Sequence, residues 1–252
     1  MWPHLVLYEM NAWDHVVAAF ICVFAPIMAY TSRRLSAEDI QLEPEDKIRL
    51  YHSNALLLSV FALVVITLWR IPGRSVFGLG FEWPEWNAMV VGMVFLVFLF
   101  YGLDIFFQYG LRRWRLKTME RRNSSLSFVP ADHRELFHFL FLALAAGIGE
   151  EIIFRGYLIH YLLFWTGNSA AGIFTACLIS SALFAFLHGY QGVASMIKIF
   201  FLSFLFALIF VYSKSLLIVI LIHAVIDILS GWIGIYLLRF LNHEDEQSEN
   251  NG

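Results

Sequence analysis

The sequence predicts an all-α helical bundle that crosses a membrane about seven or eight times. Of its 252 residues, 60% are hydrophobic and 25 are Phe. Only 15% of the residues are charged, and these are clustered rather than spread along the chain. A helix that spans a bilayer needs about 20 mostly apolar residues. Because the apolar stretches reach this length, the composition predicts a polytopic membrane protein.

Seven apolar stretches are long enough to be spans. They run over residues 12–30, 55–71, 88–109, 137–165, 170–188, 193–212 and 215–240. The last is long, and a break around Ser230-Gly231 would divide it and give eight. We therefore divide the chain into N-terminal membrane helices with a basic loop (1–136), a helical core (137–240) and an acidic tail (241–252). Residues 31–54 are predicted as a polar loop, and the tail as disordered.

Lys and Arg fall in alternate loops. Four lie in residues 31–54 and seven in residues 111–136, whereas the loop between them has Arg70 and Arg74. The positive-inside rule puts the first and third loops in the cytoplasm, with the N-terminus outside and the C-terminus inside. The third loop could bind anionic lipid, but a net charge of -3 argues against nucleic acid. Short loops and compact size favour a prokaryotic plasma (inner) membrane.

Three ionisable side chains lie inside the fourth stretch. Each charge costs roughly 2.5–3.5 kcal/mol at the centre of a membrane helix on insertion scales, so such residues indicate function. Glu151 and Arg155 are four residues apart and share a face, which predicts an ion pair. Glu150 points about 100° away. It is left without a local partner and could serve as a general base.

Two later stretches carry further polar residues at helical spacing. Phe184 and His188 lie one turn apart, as do His223 and Asp227. Two histidines, a glutamate and an aspartate could activate a water and stabilise an oxyanion. Taken singly, each has another explanation. His188 could be an interfacial residue, His223 with Asp227 a packing hydrogen bond, and Glu151 with Arg155 purely structural.

Other polar residues in the apolar stretches favour interfacial or packing roles. Asp14 and His15 lie near the start of the first stretch and are predicted at the membrane interface. Asp104, His160 and Lys198 occur singly.

The three motifs together resemble those of a known family. Glu150-Glu151-x-x-x-Arg155, Phe184-x-x-x-His188 and His223-x-x-x-Asp227 follow one another on successive apolar stretches. This order is similar to that of the CPBP family, which comprises the CAAX prenyl endopeptidases and the bacteriocin-processing or immunity proteins (Abi). The resemblance covers residues 137–240.

The resemblance implies an intramembrane endopeptidase of the glutamic type. It implies that Glu150 and His188 hold and activate the attacking water, and that His223 and Asp227 stabilise the oxyanion. Glu151, Arg155 and Phe184 would support the site. The prenyl endopeptidases usually have Asn at the position of Asp227, and an ionised Asp would repel an oxyanion. Asp227 must therefore be protonated or act by orienting His223.

Alternatives to this interpretation stay open. We expect no metal, but Glu150, His188 and His223 could instead be three zinc ligands with an open fourth position. A non-catalytic immunity or partner-stabilising protein is a third hypothesis. A proton-coupled carrier is disfavoured because no internal repeat is present. The expected partners are the lipid bilayer and a membrane-associated protein or peptide substrate. Nothing in the sequence identifies this substrate.

Overall fold

The computed structural model describes residues 6–35, 43–107 and 128–249, with only the backbone described for 32–35 and 237–249. Seven helices in these ranges are long and apolar enough to cross a membrane. They are Ala12–Thr31, Pro44–Arg70, Ala88–Ile105, His133–Thr166, Ala170–Leu187, Val193–Ser213 and Leu216–Tyr236, which we call spans one to seven. The predicted helical bundle is confirmed. Most of the predicted basic loop lies outside the described residues.

Three helices extend into segments predicted as loop or tail. The helix of span one continues to Leu35 and span two begins at Pro44, so the prediction of a loop over residues 31–54 is wrong at both ends. Proline at the first helical position and Glu45 and Asp46 in the first turn favour this start. The last helix continues to Glu249 and includes most of the predicted disordered tail. Once a helix has formed, each new hydrogen bond requires the conformation of only one more residue to be fixed.

Span four is the centre of the bundle. It consists of an α-helix over His133–Glu151, a π-helical segment over Ile152–Leu158 and a second α-helix over Ile159–Thr166. Every residue of the π-helical segment is buried. The neighbouring helices therefore surround span four on all sides just beyond Glu151.

Two glycines let other spans approach span four closely beside Glu150. A Cβ on Gly147 would lie 3.1 Å from the backbone nitrogen of Ala224 in span seven. A Cβ on Gly149 would lie 3.2 Å from the carbonyl oxygen of Leu58 in span two. Both distances are tighter than ordinary contacts, and the obstacle in each case is backbone. Glycine at these positions brings spans two and seven against the part of span four that carries Glu150.

The first turns of spans two and four are joined by a buried ion pair. Lys47 Nζ lies 2.7 Å from Glu135 Oε2, and both side chains are less than 10% exposed. Tyr51 donates a hydrogen bond of 2.9 Å to the carbonyl oxygen of Phe128. These contacts fix the start of span four against span two.

Asp14, which the sequence predicts at the membrane interface, takes part in a buried ion pair. Its carboxylate is buried and accepts hydrogen bonds of 2.9 and 2.7 Å from Arg74, which follows span two. Tyr157 of span four donates to the backbone carbonyl of Asp14 at 2.6 Å. A carboxylate can be buried in this way because a guanidinium pairs with it in a bidentate geometry. His15 is exposed and lies 3.0 Å from the Tyr161 hydroxyl.

The three residues that occur singly in the sequence have partners in the structure. Lys198 Nζ lies 2.5 Å from Asp104 Oδ1, which joins spans six and three. His160 is buried, with Nδ1 2.6 Å from the carbonyl oxygen of Gly156. The packing role expected of His160 agrees with these contacts, whereas Asp104 and Lys198 form an ion pair that sequence spacing could not show.

Candidate functional site

The site is built around the change of helix type in span four. Glu150 and Glu151 are the last residues of its first α-helix, and Arg155 lies within the π-helical segment that follows. Such π-helical insertions are rare and occur often at functional sites. Here the insertion directly follows the two glutamates, at the level where Gly147 and Gly149 admit spans seven and two.

Glu151 and Arg155 together link span four to spans six and seven. Glu151 Oε1 accepts a hydrogen bond of 2.8 Å from Arg155, as the four-residue spacing predicts. The same oxygen lies 2.6 Å from His223 Nδ1 of span seven. Arg155 also donates to Ser203 of span six, at 2.9 Å to the hydroxyl and 3.2 Å to the carbonyl oxygen. Glu151 therefore positions His223 as well as neutralising Arg155.

The His223 ring lies close to three carboxylates, those of Glu150, Glu151 and Asp227. Since an ionised carboxylate only accepts hydrogen bonds, the contact with Glu151 places a proton on His223 Nδ1. The other ring nitrogen, Nε2, lies 3.7 Å from Glu150 Oε2 and 3.5 Å from Asp227 Oδ2. These distances exceed those of ordinary hydrogen bonds. Nε2 and the two carboxylates thus face one another with room for small rearrangements.

His188 directly follows span five and lies beside Phe184. Its Nδ1 lies 2.8 Å from the carbonyl oxygen of Phe184 and donates a hydrogen bond to it. In the neutral ring, Nε2 is then the acceptor. The Phe184 ring centre lies 4.5 Å from that of His188 and 6.3 Å from that of His223. Phe184 therefore lies beside both imidazoles.

Aromatic rings enclose the buried side of the site. The Arg155 guanidinium lies 4.7 Å from the ring centre of Phe184 and 5.5 Å from that of Phe206. Phe206 also lies 5.6 Å from the His223 ring. A cation over an aromatic face is stabilised electrostatically, most strongly where water is excluded. The supporting role predicted for Phe184 agrees with these contacts.

Exposure increases across the site from one side to the other. The side chain of Glu151 is 0% exposed and that of His223 10%, whereas Glu150 reaches 16% and Asp227 31%. The Glu151–Arg155 pair is thus sealed inside the bundle, and Glu150 and Asp227 form the edge that a substrate could reach. Tyr190, which follows span five, is exposed and its ring centre lies 6.2 Å from that of His188.

The zinc ligand set that the sequence leaves open as an alternative consists of Glu150, His188 and His223. Among the residues that the structure describes, there is no group of three or more His, Cys, Asp or Glu side chains placed to hold one metal ion. His223 uses Nδ1 for Glu151, and His188 uses Nδ1 for a carbonyl oxygen. Each retains Nε2.

Sequence reasoning found Glu150, His223 and Asp227, which the structure brings together, and missed two other contacts. The hydrogen bond between His223 and Glu151 joins residues 72 positions apart, and nothing in helical spacing indicates it. Ser203 was not considered. Its only signal is a hydroxyl group within the apolar sequence Phe200-Phe201-Leu202-Ser203-Phe204.

The fold and the site together define an all-helical, multi-pass membrane protein with carboxylates and imidazoles gathered inside its bundle. Residues 132–229 match the family model described as type II CAAX prenyl endopeptidase Rce1-like. The resemblance to the CPBP family is thus confirmed over this part of the chain, which contains all the predicted site residues. The match supports a protease-type hydrolase at the level of the family. No curated protein and no solved structure matches the chain.

Proposed function

We propose that the protein is an intramembrane endopeptidase that hydrolyses a peptide bond of a membrane-associated protein or peptide precursor. One observation carries the proposal. Within a segment that matches the prenyl endopeptidase model, Glu150 and Asp227 both lie within 3.7 Å of His223 Nε2. Carboxylates and imidazoles inside a membrane bundle are costly and indicate function by default.

Glu150 is the base of the proposed reaction. It lies on the more exposed side of the site, and its neighbour Glu151 already neutralises Arg155. Glu150 can therefore accept a proton from the attacking water without competing for the buried guanidinium. His188 assists through Nε2, because its Nδ1 donates to the carbonyl oxygen of Phe184. The water attacks the carbonyl carbon of the scissile bond, and its proton passes to Glu150.

His223 supports the charge that develops on the carbonyl oxygen. Its Nδ1 already donates to Glu151, so Nε2 can donate to an oxyanion only when the ring carries both protons. A donor held in place before the reaction stabilises the transition state without reorganising. Asp227 lies 3.5 Å from Nε2 and contributes either as a protonated donor or by orienting the His223 ring. The proton on Glu150 then passes to the leaving amine.

The proposed mechanism uses no metal. The direct contact of His223 with Glu151 and the distance of 3.7 Å to Glu150 suit proton transfer and charge stabilisation by side chains. The test is hydrolysis by the purified protein before and after treatment with a chelator. Unchanged activity is expected. Activity that is lost on chelation and restored by Zn²⁺ would instead favour the zinc-dependent protease.

The substrate is sought by comparing membranes that differ only at Glu150. Cells that carry the wild type or the Glu150→Gln variant are compared for a peptide or anchor tail that is released only by the wild type. Prenylated proteins, secreted peptide precursors and sorting tails of surface proteins are all within the scope of this comparison. Glu85→Gln is the matched control, because Glu85 is a surface residue paired with Lys214 outside the site.

The purified protein must then cleave the substrate that this comparison finds. We expect Glu150→Gln to fold normally and to lose cleavage, while Glu85→Gln retains it. Full activity in Glu150→Gln would contradict the mechanism. A wild type that cleaves nothing, while its presence still protects or stabilises another protein, would favour the non-catalytic hypothesis.

A further inference from the structure

Two histidines outside the candidate site touch each other across spans two and four. His52 Nε2 lies 2.9 Å from His138 Nδ1, and the ring centres are 5.0 Å apart. His52 is exposed and His138 half-buried. His138 precedes Glu150 by twelve residues, which is about 18 Å along a helix with a rise of 1.5 Å per residue. The pair is therefore separate from the site described above.

The geometry of the pair is close to that of two ligands on one metal ion. In a neutral imidazole one nitrogen carries a proton and the other a lone pair. Zinc binds imidazole nitrogen at about 2.0–2.1 Å, so two nitrogens at the tetrahedral angle lie about 3.3 Å apart. His52 and His138 need to separate by only about 0.4 Å to reach this distance. In the hydrogen bond the two nitrogens point at each other, so both rings must also tilt for their lone pairs to meet on one ion.

Metal binding by the two rings would need no co-reactant, because the protons are only redistributed. In the hydrogen-bonded pair, one ring presents a proton and the other a lone pair. When the donor ring moves its proton to its outer nitrogen, His52 Nε2 and His138 Nδ1 both present lone pairs. Two neutral rings then bind the cation with no net release of a proton. Water can complete the coordination on the exposed side of His52.

The surroundings favour a metal that prefers nitrogen ligands. The nearest acidic residue on span four, Glu135, is already engaged by Lys47 and by the backbone nitrogen of Ala131. The ring centres of Phe137 and Phe141 lie 5.5 Å from His138 and 5.7 Å from His52, respectively. Imidazole without carboxylate suits zinc, nickel and copper rather than magnesium or calcium.

We propose that His52 and His138 form a transition-metal site that bridges spans two and four. Its ligand is a divalent cation of the zinc class. Binding would stabilise the folded protein by mass action, because it holds two helices together that separate on unfolding. The site would also contribute zinc to any metal analysis of the purified protein. Zinc found there would then be no evidence for a catalytic metal until this pair had been removed.

The test is a titration of the purified full-length protein, free of any histidine tag, with Zn²⁺ and separately with Ni²⁺. We expect one equivalent to bind and the midpoint of thermal unfolding to rise with metal concentration. Mg²⁺ should have no effect. Since loss of an outer-shell partner alone typically weakens metal binding 10–100-fold, His52→Gln and His138→Gln should each weaken it at least about tenfold.

Two kinds of control make the result decisive. His15→Gln, at an exposed histidine near Tyr161, and Glu150→Gln should both bind metal as the wild type does. Because His52 is exposed, its replacement should leave the fold intact even if that of His138 does not. The proposal is overturned if the wild type binds no stoichiometric metal, or if His52→Gln binds as tightly as the wild type. Binding that disappears in Glu150→Gln would overturn it as well, by placing the metal in the candidate site.

Discussion

Replacing Arg155 by Met should destabilise the protein strongly, because it leaves Glu151 as a buried carboxylate with half of its support. Arg155 is 1% exposed and Glu151 0% exposed. Removal of one partner from a buried ion pair typically costs about 3–5 kcal/mol. Arg155→Met also removes two hydrogen bonds to Ser203. We therefore expect a loss toward the upper end of this range.

The double variant Glu151→Met/Arg155→Met should lose less unfolding free energy than the two single variants lose together. Replacing a whole buried ion pair by apolar residues removes the desolvation cost of both charges. Residues in direct contact usually show coupling energies of about 0.5–3 kcal/mol, and we expect this pair to lie near the upper limit. His223 Nδ1 and the Ser203 hydroxyl lose their partners, which keeps the double variant below the wild type.

The double variant should regain part of the stability lost in the single variants, but it should not regain hydrolytic activity. Glu151 also holds the His223 ring, and a misplacement of about 1 Å in a catalytic group can cost about 100-fold in rate. The assays are reversible unfolding in detergent micelles for the wild type, both single variants and the double variant, together with initial cleavage rates at substrate saturation. If the losses of stability in the two single variants add up to the loss in the double variant, the buried ion pair is refuted. A double variant that cleaves at the wild-type rate would refute the positioning of His223 by Glu151.

Three further predictions concern the surroundings of the site. Asp227→Asn should retain more cleavage activity than Asp227→Leu, because an amide can donate to an oxyanion, and equal loss in both variants would contradict this role. Gly147→Ala should lower unfolding stability by about 1–3 kcal/mol and reduce activity, since the new methyl meets the backbone of span seven. Gly102→Ala, with nothing within 4 Å of its Cβ, should be neutral or slightly stabilising, and similar losses in the two variants would refute the close approach. Lys198→Met should cost less than about 1 kcal/mol in the same unfolding assay, because its ion pair with Asp104 is partly exposed; a loss above 2 kcal/mol would show that the pair is shielded from solvent.

Hydropathy predicted the number and order of the helices because crossing a bilayer requires a fixed length of apolar chain. It placed the start of span two eleven residues late, since residues 44–54 are helical but polar and hydropathy responds only to the apolar part. The Glu151–Arg155 pair followed from helical spacing, because both residues belong to one span.

Contacts between spans could not be predicted in the same way. Asp14 appeared interfacial because its partner Arg74 lies 60 residues away in the chain, after another span. Lys198 and Asp104 appeared single for the same reason. The roles of Glu150, His188, His223 and Asp227 remain predictions.

The hydrogen bond between Glu151 and His223 also sets when the site can be complete during synthesis of the chain. His223 is made 72 residues after Glu151. At about 5–20 residues per second, this interval lasts roughly 4–14 s. Until then span four carries its own counter-charge in Arg155, so it can enter the bilayer without waiting for span seven. A nascent chain that stalls before span seven would therefore have Glu151 paired but lack His223 and Asp227, and the candidate site would be complete only when the last span joins the bundle.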